Sequence, residues 1–238
     1  PDAVSPLVPP LPEATARAVQ DELRARLPVD PAAREPVPAR RRRALPLSPA
    51  APVELLLTGR RTALLRHGGR TIELSGRHAE LLTLLHLHPD GISGGELAEQ
   101  LHGSLSAEGT VRAEVVRLRK VLSTVDGLEI ASRPYRLAGA VASDLRRARA
   151  ALARGDAEGA LAHWSGDLLP ASEAPAIRRL GRREGAHLRE LLLERGTAAQ
   201  LWRYAQRPEA DGDLEVLMAI LELAPADAPE RSAAVARA

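Results

Sequence analysis

The spacing of apolar residues changes at residue 53, and this change constrains the fold more than any other feature of the chain. Three short apolar runs of strand length come first, at residues 53–58, 62–66 and 70–74. Gly68 and Gly69 separate the last two runs, and a Gly-Gly pair tolerates the positive φ angles that a tight hairpin turn needs. From residue 78 onward the apolar residues recur every three or four positions, which is typical of helices with one buried face. The sequence therefore predicts an α+β fold that begins with a small antiparallel sheet.

Two helices are predicted directly after this sheet. The first covers residues 78–87, and its buried stripe is predicted to consist of Leu81, Leu82, Leu84 and Leu85. The second begins after Ser93, because Glu96 follows three residues later and the two residue types form a capping box at a helix N-terminus. Gly103 is predicted to end this second helix, since glycine readily adopts the left-handed conformation found after helices.

A third helix is predicted at residues 110–123, and its two faces differ in chemistry. At 100° per residue one narrow stripe is aliphatic and is expected to face the core; it consists of Val111, Val115, Leu118 and Leu122. The opposite side is basic with small apolar residues between the charges. Arginine pairs with guanine O6 and N7, while alanine or valine meets the thymine methyl group in a major groove. The residues of this helix expected to contact DNA are Thr110, Arg112, Ala113, Val116, Arg117, Arg119 and Lys120.

A β-hairpin is predicted at residues 128–138, with a tight turn at Ser132, Arg133 and Pro134. We expect this hairpin to act as a wing that carries Arg133 and Arg136 to the DNA backbone. The whole chain has a formal net charge of only +2, so the local charge is more informative than the total. Residues 110–136 contain six basic and three acidic side chains. That surplus indicates a surface that binds phosphate.

Residues 142–238 have a helical pattern throughout. The predicted helices cover residues 142–153, 157–165, 174–195, 197–206, 214–223 and 229–237. Short loops containing glycine separate them, which favours a tetratricopeptide-like array of helix pairs, although no strict 34-residue repeat is present. This half has 14 basic and 15 acidic side chains and no basic stripe. We interpret it as an interaction or activation domain, and a homodimer formed through it is one hypothesis.

Residues 1–52 are rich in proline, alanine and arginine. One short helix is predicted at residues 13–27, followed by an extended, semi-rigid linker. The run of four arginines at residues 40–43 is either a solvated part of this linker or a basic arm that touches DNA. The predicted domains are therefore the linker, a DNA-binding domain at residues 53–141 and a helical domain at residues 142–238. Because the chain does not begin with Met, we expect it to be part of a longer protein.

Several classes of function lack their sequence signatures. There is no cysteine, which excludes disulfides, thiolate metal sites and a cysteine nucleophile. His163, Ser165 and Asp167 are the residue types of a catalytic triad, but no nucleophile elbow surrounds them, and no Gly-rich phosphate loop occurs. No apolar run approaches the roughly 20 residues that cross a membrane. We therefore predict a cytoplasmic protein that is not an enzyme, with no cofactor, no metal and no membrane partner.

The order of these elements resembles an OmpR-like winged helix-turn-helix followed by the bacterial transcriptional activation domain of actinobacterial antibiotic-regulatory activators. Five segments carry the resemblance: residues 74–82 (LSGRHAELL), 110–112 (TVR), 116–122 (VRLRKVL), 132–137 (SRPYRL) and 160–170 (ALAHWSGDLLP). The match covers nearly all of residues 53–206. It implies a sequence-specific transcription regulator that binds double-stranded DNA. Actinobacterial regulators that join a GAF sensor to such a winged helix are similar too, and the sensor would then precede residue 1.

The resemblance also implies roles for individual residues. Arg117 matches the arginine that contacts bases, whereas Arg112, Arg119 and Lys120 would contact the backbone or bases. From the wing, Arg133 or Arg136 would reach the minor groove or phosphates. The loop at residues 102–109 would correspond to the segment that touches RNA polymerase.

The chain departs from this family at Ala113, Glu114 and Val116, which are less polar or less basic than in many recognition helices. An exposed face with small apolar residues also suits a protein partner. The alternative function is therefore a winged-helix protein-interaction module that does not bind DNA.

Overall fold

A computed structural model describes residues 53–237 of the protein. The predicted helix at residues 13–27 and the arginine run at residues 40–43 therefore lie outside the described residues. The described part has an α+β fold of six β-strands and nine α-helices, which confirms the predicted fold class at this level. None of these helices combines the length and the apolarity that a membrane crossing requires.

The first three strands form the predicted antiparallel sheet. They are β1 (Val53–Leu56), β2 (Ala63–His67) and β3 (Arg70–Leu74). In β1, Leu55 pairs with Leu65 of β2, and both side chains are fully buried. The turn between β2 and β3 has Gly68 and Gly69 at positive φ, as their pairing in the sequence predicts. Alternation along these strands thus places one face of the sheet on the core.

A fourth strand, β6 (Val141–Ser143), joins the sheet beside β1 and runs parallel to it. The prediction of a helix from residue 142 was therefore wrong at its start, and the sheet is mixed rather than wholly antiparallel. The first helix of the C-terminal half begins at Asp144, and the Ser143 hydroxyl caps it by accepting a hydrogen bond from the Arg146 amide (3.1 Å). Residues 141–143 form a strand because β1 has an unpaired edge that needs backbone partners.

Three helices and a hairpin lie between β3 and β6. They are α1 (Gly76–Leu87), α2 (Gly94–His102), α3 (Glu108–Leu122), and the hairpin of β4 (Glu129–Ala131) with β5 (Arg136–Ala138). The leucine stripe predicted for α1 is buried, but so are Glu80, Thr83 and His86, which lie outside the stripe. Because α1 is covered on almost every side, it is the central helix of the fold.

The segment at residues 102–109 differs from the predicted loop. His102 is the last residue of α2, a short 3₁₀ turn covers Leu105–Ala107, and α3 begins at Glu108. The Ser104 hydroxyl accepts a hydrogen bond from the Ser106 amide and so starts the 3₁₀ turn. The capping box of Ser93 and Glu96 and the left-handed Gly103 are both present, as predicted.

The C-terminal half contains six helices close to the predicted positions. They are α4 (Asp144–Ala153), α5 (Ala157–His163), α6 (Pro175–Arg195), α7 (Ala198–Ala205), α8 (Leu214–Leu223) and α9 (Pro229–Arg237). Trp164, which follows α5, is 1% exposed and belongs to the core. Consecutive helices pack against each other along this half, and α6 also packs against α2.

The two halves share hydrogen bonds as well as apolar contacts. The Asp144 carboxylate, at the start of α4, accepts hydrogen bonds from the backbone amides of Leu57 and Thr58 just after β1. The Ser165 hydroxyl donates to the Thr58 carbonyl at 2.8 Å. Residues 53–237 belong to one compact unit with a continuous core, and β6 spans the predicted domain boundary at residue 141.

Candidate nucleic-acid interface

The aliphatic stripe of α3 is buried as predicted. Its four members are between 0 and 1% exposed, and they are Val111, Val115, Leu118 and Leu122. Six of the predicted DNA contacts occupy the exposed part of the helix, namely Thr110, Arg112, Ala113, Val116, Arg117 and Lys120. The structure thus brings these six side chains to one solvent-facing surface, which we call the α3 outer face.

Two of the arginines on the α3 outer face are paired with carboxylates of the same helix. Arg117 Nη1 donates to Glu114 Oε1, and Arg112 Nη2 lies 3.6 Å from Glu108 Oε1. The side chains of Arg117 and Arg112 are 65% and 70% exposed. Exposed ion pairs of this kind contribute about 0–1 kcal/mol, so an incoming phosphate or base can displace the carboxylate at little cost.

Glu114 has a more constrained position than the arginine it holds. Its side chain is 17% exposed, and Oε2 lies 3.9 Å from Nε2 of His78 on α1. The carboxylate therefore keeps Arg117 close to the helix surface. To read a base, the Arg117 guanidinium has to break its ion pair with Glu114 and bind the base instead.

Arg119 has a role that the sequence analysis did not find. Its guanidinium donates to the Ile130 carbonyl from Nε (3.1 Å) and Nη2 (2.9 Å), and Nη2 also donates to the Ser132 hydroxyl (2.5 Å). These bonds join α3 to β4 and to the turn of the hairpin. No local pattern could have indicated them, because the partner carbonyl lies 11 residues away in another element. Arg119 as a DNA contact stays a prediction, and its observed contacts are those of a positioning residue.

A second connection holds the hairpin from the other side. The backbone groups of Ile92 and Tyr135 exchange two hydrogen bonds of 2.9 Å each. Gly91 has φ +97°, and a Cβ at this position would lie 2.6 Å from Cγ of Pro134. This close approach requires glycine, because the segment before α2 packs so tightly against the hairpin turn that no side chain fits between them.

Arg133 and Arg136 are both exposed on this fixed hairpin. Within residues 53–237 no ion pair joins Arg133, Arg136 or Lys120 to another side chain. Their charges are therefore available to an anionic partner, and their contact with DNA stays a prediction. The residues of the described range offer no group of three histidine or carboxylate side chains that suits a metal ion.

We expect Arg119→Ala to lower the free energy of unfolding by about 1–3 kcal/mol, because the substitution leaves the Ile130 carbonyl without its charged donor. Denaturant unfolding measures this loss, and hydrogen exchange of the β4 and β5 amides reports whether the hairpin loosens first. Lys120→Ala is the matched control on the next residue and should change stability by less than about 0.5 kcal/mol. Equal effects of the two substitutions would show that the bonds of Arg119 do not hold the hairpin.

The chain was also compared with known proteins. No family model matches it. It is 37% identical over 226 residues to an uncharacterized 47.3 kDa protein in the thcA 5′ region of Rhodococcus erythropolis. That similarity covers 94% of this chain and 47% of the relative, so the chain spans about half the length of the protein it matches.

Proposed function

We propose that this protein is a sequence-specific, DNA-binding transcription regulator. In this proposal α2 and α3 form a helix-turn-helix, α3 enters the major groove, and the β4–β5 hairpin is a wing on the adjacent backbone. The observation that carries the proposal is the α3 outer face. It combines exposed arginines with small apolar side chains and stands beside a basic hairpin that Arg119 fixes in place.

The division of labour follows from the chemistry of DNA. Phosphate contacts supply most of the affinity and make binding dependent on salt, whereas contacts to base edges supply specificity. We assign base reading to Arg117, because its exposed guanidinium stands next to Val116, which is suited to a thymine methyl. Arg112, Lys120, Arg133 and Arg136 are assigned to phosphates. Arg119 acts indirectly, by holding the hairpin at a fixed distance from α3.

A second candidate is a protein-interaction module, which the exposed apolar side chains favour. Val116 is 58% exposed on the α3 outer face, and Leu105 is 62% exposed in the 3₁₀ turn before the helix. A protein partner, including RNA polymerase at the segment around residue 105, would cover such side chains. This candidate does not need the arginines of α3 to touch DNA, and that difference makes the two functions separable.

The test is selection of bound duplexes from a random pool by the chain at two salt concentrations, followed by affinity measurements on the selected sequence. We expect enrichment of a defined sequence. Arg117→Ala should weaken binding to it by about 1–3 kcal/mol, roughly 5- to 150-fold, while binding to random duplex changes much less. Arg203→Ala is the matched control, because Arg203 is an exposed arginine paired with Glu158 in the other half of the chain.

Glu114→Gln is the complementary variant. It removes a negative charge from the α3 outer face and releases Arg117, so affinity for DNA should rise. Equal losses of Arg117→Ala on the selected and the random duplex would contradict the assignment of base reading. Failure of any sequence to enrich would favour the protein-interaction module instead.

A further inference from the structure

A basic cleft of about 690 Å³ lies between α4 and α6, and none of the residues assigned to DNA lines it. Its charged lining consists of Arg146, Arg149, Arg183, Glu184 and His187, and its apolar part is formed by Ala150 and Ala153. Three arginines against one carboxylate leave an excess of two positive charges, with histidine counted as neutral. A volume in this range is typical of clefts that bind small molecules.

Glu184 organises the arginines of the cleft. It is 5% exposed, and its Oε1 accepts hydrogen bonds from Nε (3.2 Å) and Nη2 (2.7 Å) of Arg183. Nε of Arg149 lies 3.1 Å from the same oxygen. One buried carboxylate thus fixes two guanidinium groups that come from different helices. Pre-positioned guanidinium groups bind an anion with less loss of side-chain entropy than mobile ones.

The two guanidinium groups keep donors for a further partner. A guanidinium has five N–H donors, and Arg149 approaches Glu184 through Nε. In residues 53–237 no hydrogen bond engages the two Nη atoms of Arg149 or Nη1 of Arg183. The planar arrangement of these donors matches the oxygens of a phosphate group, to which arginine binds in a bidentate manner.

We propose that this cleft binds a small molecule that carries a phosphate group. Arg149 and Arg183 hold the phosphate, Arg146 and His187 close over it from the two helices, and Ala150 and Ala153 contact the less polar part of the ligand. A nucleic-acid backbone offers the same chemical group, but the cleft is lined by α4 and α6 rather than by α3 or the hairpin. The proposal does not rest on the proposed function, since it requires no DNA binding.

The test uses isothermal titration of the full chain with inorganic pyrophosphate and with AMP, at constant ionic strength set by chloride. We expect saturable binding of one equivalent. Arg146→Gln should weaken this binding by at least tenfold, because it removes one of the three positive charges that line the cleft. Arg146 is exposed and makes no bond to the buried Glu184, so this substitution should leave the fold intact. His187→Gln is a second exposed variant and should weaken binding by about threefold, as for loss of one hydrogen bond.

Arg195→Gln is the matched control, since Arg195 is an exposed residue of α6 that does not line the cleft. Its affinity for both probes should equal that of the parent chain. Absence of saturable binding, or equal binding by the parent and by Arg146→Gln, would overturn the proposal. It would also be overturned if Arg146→Gln weakened binding of random duplex DNA as much as that of pyrophosphate, because the cleft would then serve the DNA backbone.

Discussion

Asp144→Ala is expected to lower the free energy of unfolding by about 3–5 kcal/mol, the largest effect of a polar substitution that we predict. The Asp144 carboxylate is 7% exposed and holds the end of β1 against the start of α4. It accepts hydrogen bonds from the Leu57 amide (2.8 Å), the Thr58 amide (3.0 Å) and the Thr58 hydroxyl (3.1 Å). Alanine leaves the Leu57 and Thr58 amides buried without a partner, and each such donor costs about 1–3 kcal/mol. The Thr58 hydroxyl keeps the His163 carbonyl as an acceptor at 3.2 Å.

Denaturant unfolding of the two proteins at neutral pH measures this loss. Asp156→Ala is the matched control, because the Asp156 carboxylate caps α5 by accepting one hydrogen bond from the Gly159 amide, and its side chain is 43% exposed. Loss of such a cap costs about 1 kcal/mol. If Asp144→Ala destabilised the chain no more than the control, the junction of β1 and α4 would depend on apolar packing and not on this carboxylate.

The stability of the protein is expected to fall by about 3 kcal/mol between pH 6.5 and pH 4 through His86 alone. Burial, and then the positive charge of Arg146, lower the pKa of His86 from 6.5 to about 4. The side chain is 6% exposed, and Nε2 lies 2.9 Å from the Ser143 hydroxyl. Because the unfolded chain takes up this proton below pH 6.5 and the folded chain does not, acid shifts the equilibrium toward unfolding. Above about pH 7.5 both states carry neutral histidine and the effect is absent.

His86→Gln tests this prediction, because glutamine can bond to Ser143 but does not titrate. Unfolding free energies measured from pH 7.5 to pH 4 should fall less steeply for the variant than for the parent. The two slopes should differ by an amount equivalent to at most one proton taken up on unfolding. Carboxylates titrate in the same range, so the difference between the two curves is the relevant quantity. Parallel curves for His86→Gln and the parent would refute the assignment.

The sequence determined those features that depend on neighbouring residues. The aliphatic period of α3, the capping box of Ser93 and Glu96, and the Gly68-Gly69 turn each report a hydrogen-bonding or burial pattern that repeats within a few positions. Such patterns are stabilised locally, so they can be recognised without knowledge of the rest of the chain. For the same reason, helical periodicity combined with the basic and small apolar residue types of α3 was enough to name its exposed residues as a candidate DNA-binding face.

The tertiary structure alone decided the contacts between distant segments. It paired β6 with β1 and placed the Asp144 carboxylate against backbone amides more than 80 residues away in the sequence. It also directed the Arg119 side chain to the Ile130 carbonyl of the hairpin. It also gathered Arg149, Arg183 and Glu184 into one cleft. A polar side chain has the same local pattern whether solvent or a distant backbone group satisfies it. Its partner is set by which elements come together when the core is buried, and no periodicity in the sequence records that choice.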